Sequence, residues 1–220
     1  MSQSIRLPAQ LPRLLVERAV AAALEEDLGL AGDLTGQATL PPDATATASL
    51  SAREAGVIAG LDLAAAAFRL VGDGVVFTPQ VADGETIGVG GVVATVAGPA
   101  RLVMSAERVA LNFLNHMSGI ATLTRRYADE VAGTAAQICD TRKTTPGLRA
   151  FEKYAVRCGG GANHRYALDD AILIKDNHID ACGSITAAIE RVAAYQKEKG
   201  TDLGVTVEVR NLVELHEVLQ

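Results

Sequence analysis

The fold is decided by the stretch AAQICDTRKTTPGLRAFEKYAVRCGGGANHRYALDDAILIK, which spans residues 135–175. It contains two short apolar runs separated by a polar loop and a helical pattern, and a third run, GVTVEV, follows further along the chain. Short β-branched runs that alternate with helices are typical of parallel β/α units. We therefore predict three consecutive β/α units. The strands are predicted at 135–140, 170–175 and 204–209, and the helices at 148–158, 184–200 and 211–220.

Charged side chains stand where each predicted strand ends. Arg142 and Lys143 follow the first strand, Lys175 ends the second, and Glu208 lies at the end of the third. In parallel β/α architectures the ligand binds at the carboxyl ends of the strands. Three such positions in consecutive units predict a binding site. A salt bridge from Glu208 to Lys175 or Arg142 is the alternative interpretation of that carboxylate.

The net charge changes sign around these positions. Residues 141–178 hold seven Lys or Arg and four Asp or Glu, which gives +3 in a chain whose net charge is −6. A local reversal of sign in an acidic chain favours a site for a small, highly charged anion.

The residue types indicate which anion. The planar guanidinium groups of Arg142 and Arg165 suit carboxylates, whereas lysines are point charges suited to phosphates. With His164, Lys143 and Lys175, these arginines could hold a dicarboxylate beside a pyrophosphate. A carboxylate among these cations, Glu208, could bind Mg²⁺ or the hydroxyl groups of a sugar.

The first half of the chain has a different pattern. Residues 14–28 show apolar positions at helical spacing, whereas residues 44–60 and 75–100 alternate as strands do and contain glycine turns. A short apolar helix is predicted between them at 61–71. These patterns predict a small α+β domain with a sandwich of strands. A lipoyl or biotinyl carrier domain is excluded, because it needs an exposed lysine at a hairpin tip and the first lysine of the chain is Lys143.

A long helix is predicted at 105–131, with Ser105 as its N-cap and a break at residues 118–119. Arg108 would then stand near the helix start as a lone cation among apolar neighbours. His116 is interpreted as a polar residue of a core helix whose hydrogen bonds are satisfied.

The composition excludes several classes of function. The isoelectric point near 5.2 argues against nucleic acid as a general partner. No apolar run approaches the ~18 residues of a membrane helix, and the N-terminal residues lack the apolar core of a signal peptide. The three cysteines have no C-x-x-C spacing, so we expect reduced thiols in the cytoplasm. His164 and His178 lack the spacing of zinc ligands.

Three separated motifs carry a family resemblance: TRKTTPGLR at 141–149, GGGANHR at 159–165 and ILIKDNH at 172–178. With these motifs in this order, the chain resembles the quinolinate phosphoribosyltransferases, also called decarboxylating nicotinate-nucleotide pyrophosphorylases, over essentially its whole length. The resemblance implies an N-terminal α/β-sandwich domain followed by a β/α-barrel domain, which we place at residues 1–112 and 113–220. The barrel is expected to be truncated after three β/α units.

The resemblance also implies a reaction. Members transfer phosphoribose from phosphoribosyl pyrophosphate to quinolinate with Mg²⁺, and they release pyrophosphate and CO₂ to give nicotinate mononucleotide for NAD biosynthesis. By motif match, Arg142, His164 and Arg165 would hold the quinolinate carboxylates. Arg108 would enter the active site of a partner subunit, which implies a homodimer.

The remaining roles follow from the same resemblance. Lys143 and Lys175 would be catalytic and would meet phosphoribosyl pyrophosphate beside the carboxylates. Glu208 would be the third catalytic residue and would serve the metal or the ribose. The substrate-binding residues are then Arg108, Thr141, Arg142, Lys143, His164, Arg165, Lys175 and Glu208.

Two departures from the family pattern keep alternatives open. Arg210 follows VEV where the family usually has an acidic residue, and the later barrel strands have no counterpart before Gln220. One alternative is a paralogous phosphoribosyltransferase of the type found with molybdate-transport operons. The other is a C-terminally truncated fragment that binds a dicarboxylate without catalysis.

Overall fold

The computed structural model describes residues 10–220, which form two compact units, residues 10–164 and residues 165–220. Residues 1–9, and with them most of the segment considered for a signal peptide, lie outside the described residues. Within the described part of the chain, no helix combines the length and the apolar character needed to span a membrane.

The larger unit, residues 10–164, contains the predicted mixture of helices and strands. Its helices are α1 (Arg13–Leu28), α2 (Leu34–Thr39), α3 (Leu61–Leu70), α4 (Ala100–Glu130) and α5 (Arg149–Cys158). Its strands are β1 (Thr45–Ser51), β2 (Gly56–Val57), β3 (Val76–Pro79), β4 (Thr86–Ile87) and β5 (Val92–Pro99). The helices predicted at 14–28 and 61–71 are therefore confirmed, and strands form in both regions predicted to contain them.

The core of the larger unit lies between its sheet and its helices. β5 is the central strand of an antiparallel sheet with the order β1-β5-β3, and β2 pairs with β4 in a second, two-stranded sheet. Val96 of β5 and Phe68 of α3 are both almost completely buried. Helix α3 contains four consecutive alanines, of which Ala64, Ala66 and Ala67 are fully buried, and these small side chains let neighbouring helices pack closely against it.

Helix α4 begins earlier than the sequence predicts, and the prediction of Ser105 as N-cap is wrong. The helix starts at Ala100, directly after Pro99, and the Ser105 hydroxyl donates a hydrogen bond of 2.8 Å to the carbonyl of Arg101 one turn back. Proline at a helix start loses no intrahelical hydrogen bond, because the first N–H groups of a helix have no partner within it. The predicted break at 118–119 is also absent, and α4 is continuous to Glu130.

The smaller unit, residues 165–220, contains two parallel strands and three helices. They are β6 (Ile172–Ile174), α6 (Asp176–Cys182), α7 (Ile185–Lys199), β7 (Val205–Val207) and α8 (Leu212–Val218). β6 and β7 pair in parallel, with Ile174 opposite Val207. A small core forms around Ile174, Ile179 and Ile185. The second and third predicted strands and the helices after them are thus confirmed, with α6 as an additional short helix.

The first predicted strand, at 135–140, is wrong. The structure has only an isolated parallel bridge there, between Cys139 and Ala162, and Ala135, Ala136 and Gln137 are exposed. An apolar run of this length carries no information about whether a partner strand is available. The hydrogen bonds that do form, from Ala162 N–H to the Ile138 carbonyl and from Asp140 N–H to the Ala162 carbonyl, still hold the segment that precedes the basic loop.

The predicted domain boundary at 112/113 stays a prediction. Helix α4 runs through this position without interruption, and the two compact units divide between residues 164 and 165 instead.

Candidate functional site

The basic loop, residues 141–147, connects the Cys139 bridge to α5. Its turns are held by short-range hydrogen bonds: Lys143 N–H donates to the Thr141 hydroxyl and Thr144 N–H donates to the Arg142 carbonyl, each at 3.0 Å. Thr141 and Lys143 are exposed, whereas Arg142 is half-buried. The loop therefore presents an ammonium group to solvent and turns the adjacent guanidinium inward.

Three buried side-chain atoms in the described part of the chain have no hydrogen-bond partner: Arg142 Nε, Asn163 Oδ1 and Arg165 Nε. Leaving a buried polar group unpaired costs about 1–3 kcal/mol, and more for a charged group. Native structures rarely accept this cost without a bound ligand, ion or water. Two of the three atoms belong to arginines that the sequence assigns to a carboxylate ligand, and the third belongs to the residue before His164.

A buried network fixes the start of the loop. Lys153 of α5 is only 1% exposed, and its Nζ donates to Asp140 Oδ1 at 2.5 Å and to the His164 carbonyl at 3.2 Å. Asp140 Oδ1 also accepts from His164 N–H at 2.9 Å, and its other oxygen accepts from Asn163 Nδ2 at 2.5 Å. The Asp140 carboxylate therefore joins the segment that contains Arg142 to the segment that contains His164.

A second contact fixes the end of the loop. Glu152 of α5 accepts from Thr145 N–H at 3.1 Å and lies 3.0 Å from His116 Nε2. Burial acts to raise the pKa of Glu152, but the hydrogen bonds from Thr145 and His116 outweigh it, and the pKa lies below its usual value. The polar group of His116 is satisfied as predicted, although the residue is exposed rather than part of the core.

Sequence reasoning missed Asp140, Glu152 and Lys153. The available signal was a charged pair, Glu152 and Lys153, within an otherwise apolar helix face that includes Ala150, Phe151 and Tyr154. Charged side chains are almost never buried unless they are paired. That rule points to buried partners but does not identify them.

In the smaller unit, Lys175 and Glu208 form an ion pair at the ends of β6 and β7. Their Nζ and Oε2 atoms are 3.1 Å apart, and both side chains are partly exposed. Glu208 N–H donates to the Ile174 carbonyl at 2.9 Å, which extends the pairing of the two strands to this point. The salt bridge expected as an alternative for Glu208 is thus present. An exposed pair contributes only about 0–1 kcal/mol, so a ligand could displace either partner at little cost.

Arg165 begins the smaller unit. One of its terminal nitrogens, Nη1, donates to the Ala171 carbonyl at 3.3 Å, while Nε is the unpaired atom noted above. Arg165 lines a cavity of about 500 Å³ together with His178 and Arg191. His178 Nδ1 accepts a hydrogen bond from Lys175 N–H, which fixes the turn into α6.

Arg108 lines a cavity to which no residue of the basic loop contributes. It is exposed in the interior of α4, not near its start, and lines this cavity of about 640 Å³ with Asn115, Arg126 and residues 50–58. The structure thus brings the predicted site residues together in two groups within single units. One group joins the basic loop to His164, and the other joins Lys175 to Glu208.

The described residues contain no cluster of three or more His, Cys, Asp or Glu side chains that could hold a metal ion. Cys139, Cys158 and Cys182 are free. Burial and the neighbouring Asp83 raise the pKa of Cys158 to about 11, so this group is a neutral thiol at physiological pH. A thiol is a poor nucleophile compared with a thiolate.

Two family models match the chain in succession. The N-terminal domain of quinolinate phosphoribosyl transferase matches residues 33–118, and its C-terminal domain matches residues 120–220. The nicotinate-nucleotide pyrophosphorylase of Mycobacterium leprae is 47% identical over 202 residues, which cover 91% of this chain and 70% of the relative. A quinolinate phosphoribosyltransferase of Nicotiana tabacum and a chloroplastic nicotinate-nucleotide pyrophosphorylase of Arabidopsis thaliana are 42% and 43% identical. The matches cover 98% and 100% of this chain, but only 61% and 62% of the two plant proteins.

Solved structures agree with these matches. The chain is similar to the NadC protein of Streptococcus pyogenes, with a TM-score of 0.87 and 42% identity, over 94% of this chain and 72% of that one. The nicotinate-nucleotide pyrophosphorylase of Francisella tularensis gives a TM-score of 0.90 at 35% identity, over 98% of this chain and 75% of the other. The mixed α/β fold predicted from the sequence is thereby confirmed.

Proposed function

Because the chain belongs to the quinolinate phosphoribosyltransferase family, we propose that it binds quinolinate and transfers phosphoribose to it from phosphoribosyl pyrophosphate. The products would be nicotinate mononucleotide, pyrophosphate and CO₂, as in the biosynthesis of NAD. The names of the M. leprae and plant relatives support quinolinate as the acceptor over the paralogous enzyme of the molybdate-operon type.

One observation carries the proposal. The buried side-chain atoms without partners, in residues 10–220, are two guanidinium Nε groups and an amide oxygen, all within or next to the motifs assigned to a dicarboxylate. Each guanidinium can pair with a carboxylate through two parallel hydrogen bonds, and Nε is one of the donors available for that geometry. Quinolinate carries two carboxylates, and each of the two arginines would pair with one of them.

The basic side chains would also favour the chemistry. Loss of pyrophosphate builds positive charge on the ribose carbon, and loss of CO₂ builds negative charge on the pyridine ring. Preorganised charged groups can contribute several kcal/mol to such steps. Arg142, His164 and Arg165 would hold the carboxylates, while Lys143 and Lys175 would face the pyrophosphate side. Glu208 would meet the ribose hydroxyls once Lys175 releases it.

The described residues fit Mg²⁺ only as an ion shared with the substrate. Mg²⁺ is often held by one or two carboxylates together with substrate phosphates and water. Glu208 is partly exposed and could supply one such carboxylate, and the described residues offer no dedicated cluster of ligands. The ion would neutralise charge on the pyrophosphate, and Glu208 would be its protein ligand.

The finer features of assembly and fold are part of the same proposal. Arg108 is exposed beside a cavity and would enter the site of a second subunit, which makes the protein a homodimer. Residues 113–220 would form part of a β/α barrel after a sandwich domain at 1–112. The free cysteines support a reducing compartment, and we place the reaction in the cytoplasm.

The proposal is tested by a direct assay of the purified chain with quinolinate, phosphoribosyl pyrophosphate and Mg²⁺. We expect nicotinate mononucleotide to form in proportion to CO₂ release, and nicotinate to be a poor substitute because it has one carboxylate. Binding of quinolinate without product would support the binding-only alternative. Turnover of another base in preference to quinolinate would contradict the proposal.

A further inference from the structure

Helix α5 carries two consecutive charged residues that are buried. Glu152 is 9% exposed and Lys153 is 1% exposed, and with Thr124 they are the buried polar residues among those that the structure describes. Neighbouring residues on a helix point about 100° apart. The two side chains can therefore reach two different parts of the structure from one turn of the helix.

Lys153 reaches the N-terminal end of the basic loop. Its ammonium group bonds to Asp140, the residue just before Thr141, and to the His164 carbonyl. Asp140 also accepts from the His164 N–H and from the Asn163 amide. The Asn163 amide also donates to the Lys153 carbonyl, so five hydrogen bonds tie the start of the loop, residues 163–164 and α5 to one another.

Glu152 reaches the C-terminal end of the same loop. One carboxylate oxygen accepts from Thr145 N–H, and the other pairs with His116 Nε2 of α4. The loop residues between these two anchors are 141–144, and they include two of the cations assigned to the substrates, Arg142 and Lys143. Arg142 Nε remains unpaired among them, although it is buried.

We propose that Glu152 and Lys153 are positioning residues that hold the basic loop, from its two ends, in the conformation that binds substrate. This inference rests on the proposed function for its ligand, quinolinate. The buried ion pair between Lys153 and Asp140 is by itself weak evidence for stability, because apolar replacements of similar volume are often neutral. We infer that it and the contacts of Glu152 fix the orientation of the Arg142 guanidinium before a carboxylate ligand binds.

The experiment compares substitutions at two carboxylates, Glu152 within α5 and Asp83, which accepts a hydrogen bond from α5. Glu152→Met removes the acceptor for Thr145 N–H at similar volume, whereas Glu152→Gln keeps an oxygen for that N–H and a donor for His116. Asp83→Leu is the matched control. Asp83 accepts from Tyr154 of α5 and from the N–H groups of Gly60 and Leu61, and it has no bond to the loop.

Two readouts are taken for each protein: calorimetric affinity for quinolinate, and hydrogen exchange of the Thr145 and His164 amides in the free protein. We expect Glu152→Met to weaken binding by about tenfold or more, because displaced binding groups lose their alignment. Faster exchange should be confined to the loop, and Glu152→Gln should recover most of the affinity. Asp83→Leu should lower Tm without changing either readout at the loop.

Lys153 is tested by the double substitution Asp140→Asn/Lys153→Met, which removes both charges and leaves neither one buried alone. We expect weaker quinolinate binding and faster exchange of the His164 amide. Unchanged affinity and exchange in both Glu152→Met and the double variant would overturn the inference. If the unsubstituted chain fails to bind quinolinate, the proposed function fails, and exchange alone decides whether the two residues hold the loop.

Discussion

Arg142 is the residue on which the account of binding depends most. Its Nε is buried without a partner, while the loop around it is closed by hydrogen bonds from Lys143 and Thr144 N–H groups. The structure therefore holds the backbone firmly and leaves the guanidinium group available. This combination is expected of a side chain whose partner is a ligand.

Replacing Arg142 by alanine should nearly abolish binding of quinolinate. A buried carboxylate left without its partner costs about 3–5 kcal/mol, which corresponds to a loss of affinity of more than about 100-fold. Arg142→Lys should give an intermediate loss, because it keeps the charge and loses the planar pair of donors. Calorimetric titration measures both. Arg18→Ala, at an exposed position of α1, is the control and should leave the affinity unchanged. Equal affinity in Arg142→Ala and the parent chain would place the dicarboxylate elsewhere.

At the scale of elements, the C-terminal end of α5 packs closely against α4. Gly159 caps the helix, and a Cβ added there would lie 2.6 Å from Thr124 Cβ and in conflict with the Ala121 carbonyl. The helix predicted at 148–158 ends just before this glycine, and the structure shows that the close approach to α4 requires a residue without a side chain there.

Gly159→Ala should therefore destabilise the fold. Overpacking typically costs about 1–3 kcal/mol, since either α4 or the end of α5 must move. Gly88→Ala is the matched control, because an added Cβ there meets no atom within 4 Å. Denaturant unfolding should give a clear loss for Gly159→Ala and little change for Gly88→Ala. Similar values for the two variants would argue against close packing of α5 on α4.

Asp83 connects α5 to the start of α3, and its titration should be visible in the stability of the protein. Burial raises the pKa of Asp83 above its ordinary value of 3.8, despite hydrogen bonds that favour the ionised form. The folded state thus holds this proton more tightly than the unfolded chain. The associated stability is present below the unfolded pKa and is lost as pH rises through the folded one.

The free energy of unfolding should accordingly fall relative to an Asp83→Asn variant as pH increases from about 4 to 7. The variant has no carboxyl group at this position to titrate, so other groups cancel in the comparison. Urea unfolding at several pH values gives the difference. A difference that stays constant, or that changes in the opposite direction, would contradict the raised pKa.

Sequence patterns predicted these elements unevenly, for identifiable reasons. The apolar spacing in 14–28 and 61–71 is that of helices with one buried face, and α1 and α3 follow it closely. Ser105 resembles an N-cap, but serine also bonds to the carbonyl one turn back, and only the position of Pro99 separates the two cases. The run at 135–140 has the pattern of a strand but does not form one. Pairing in a β-sheet depends on distant residues that a local pattern does not contain.

At the scale of the whole molecule, the family and the candidate residues could be predicted from three motifs, and the comparisons confirm the family. The residues that support the basic loop could not be predicted. The roles of Asp140, Glu152 and Lys153 depend on hydrogen-bond partners that lie up to 36 positions away in the sequence, as His116 does from Glu152. The assignment of substrates to individual site residues remains a prediction.

The proposed homodimer leads to a test by mixed subunits. If Arg108 completes the site of the partner, Arg108→Ala and Lys143→Ala should each be inactive alone, and a mixture should recover activity. Random mixing gives about a quarter of the sites in a form that lacks neither residue, by the symmetry of a two-fold dimer. Product formation at fixed total protein measures the recovery. A mixture as inactive as its parents would exclude donation of Arg108 across the interface.

The most direct measurement for the account as a whole is a crystal structure of the chain with quinolinate bound. We expect carboxylate oxygens to lie within about 2.7–3.2 Å of Arg142 Nε and of Arg165 Nε, the ordinary range of an N–H···O hydrogen bond. Quinolinate bound with both Nε atoms still unpaired, or held by residues outside these two motifs, would contradict it.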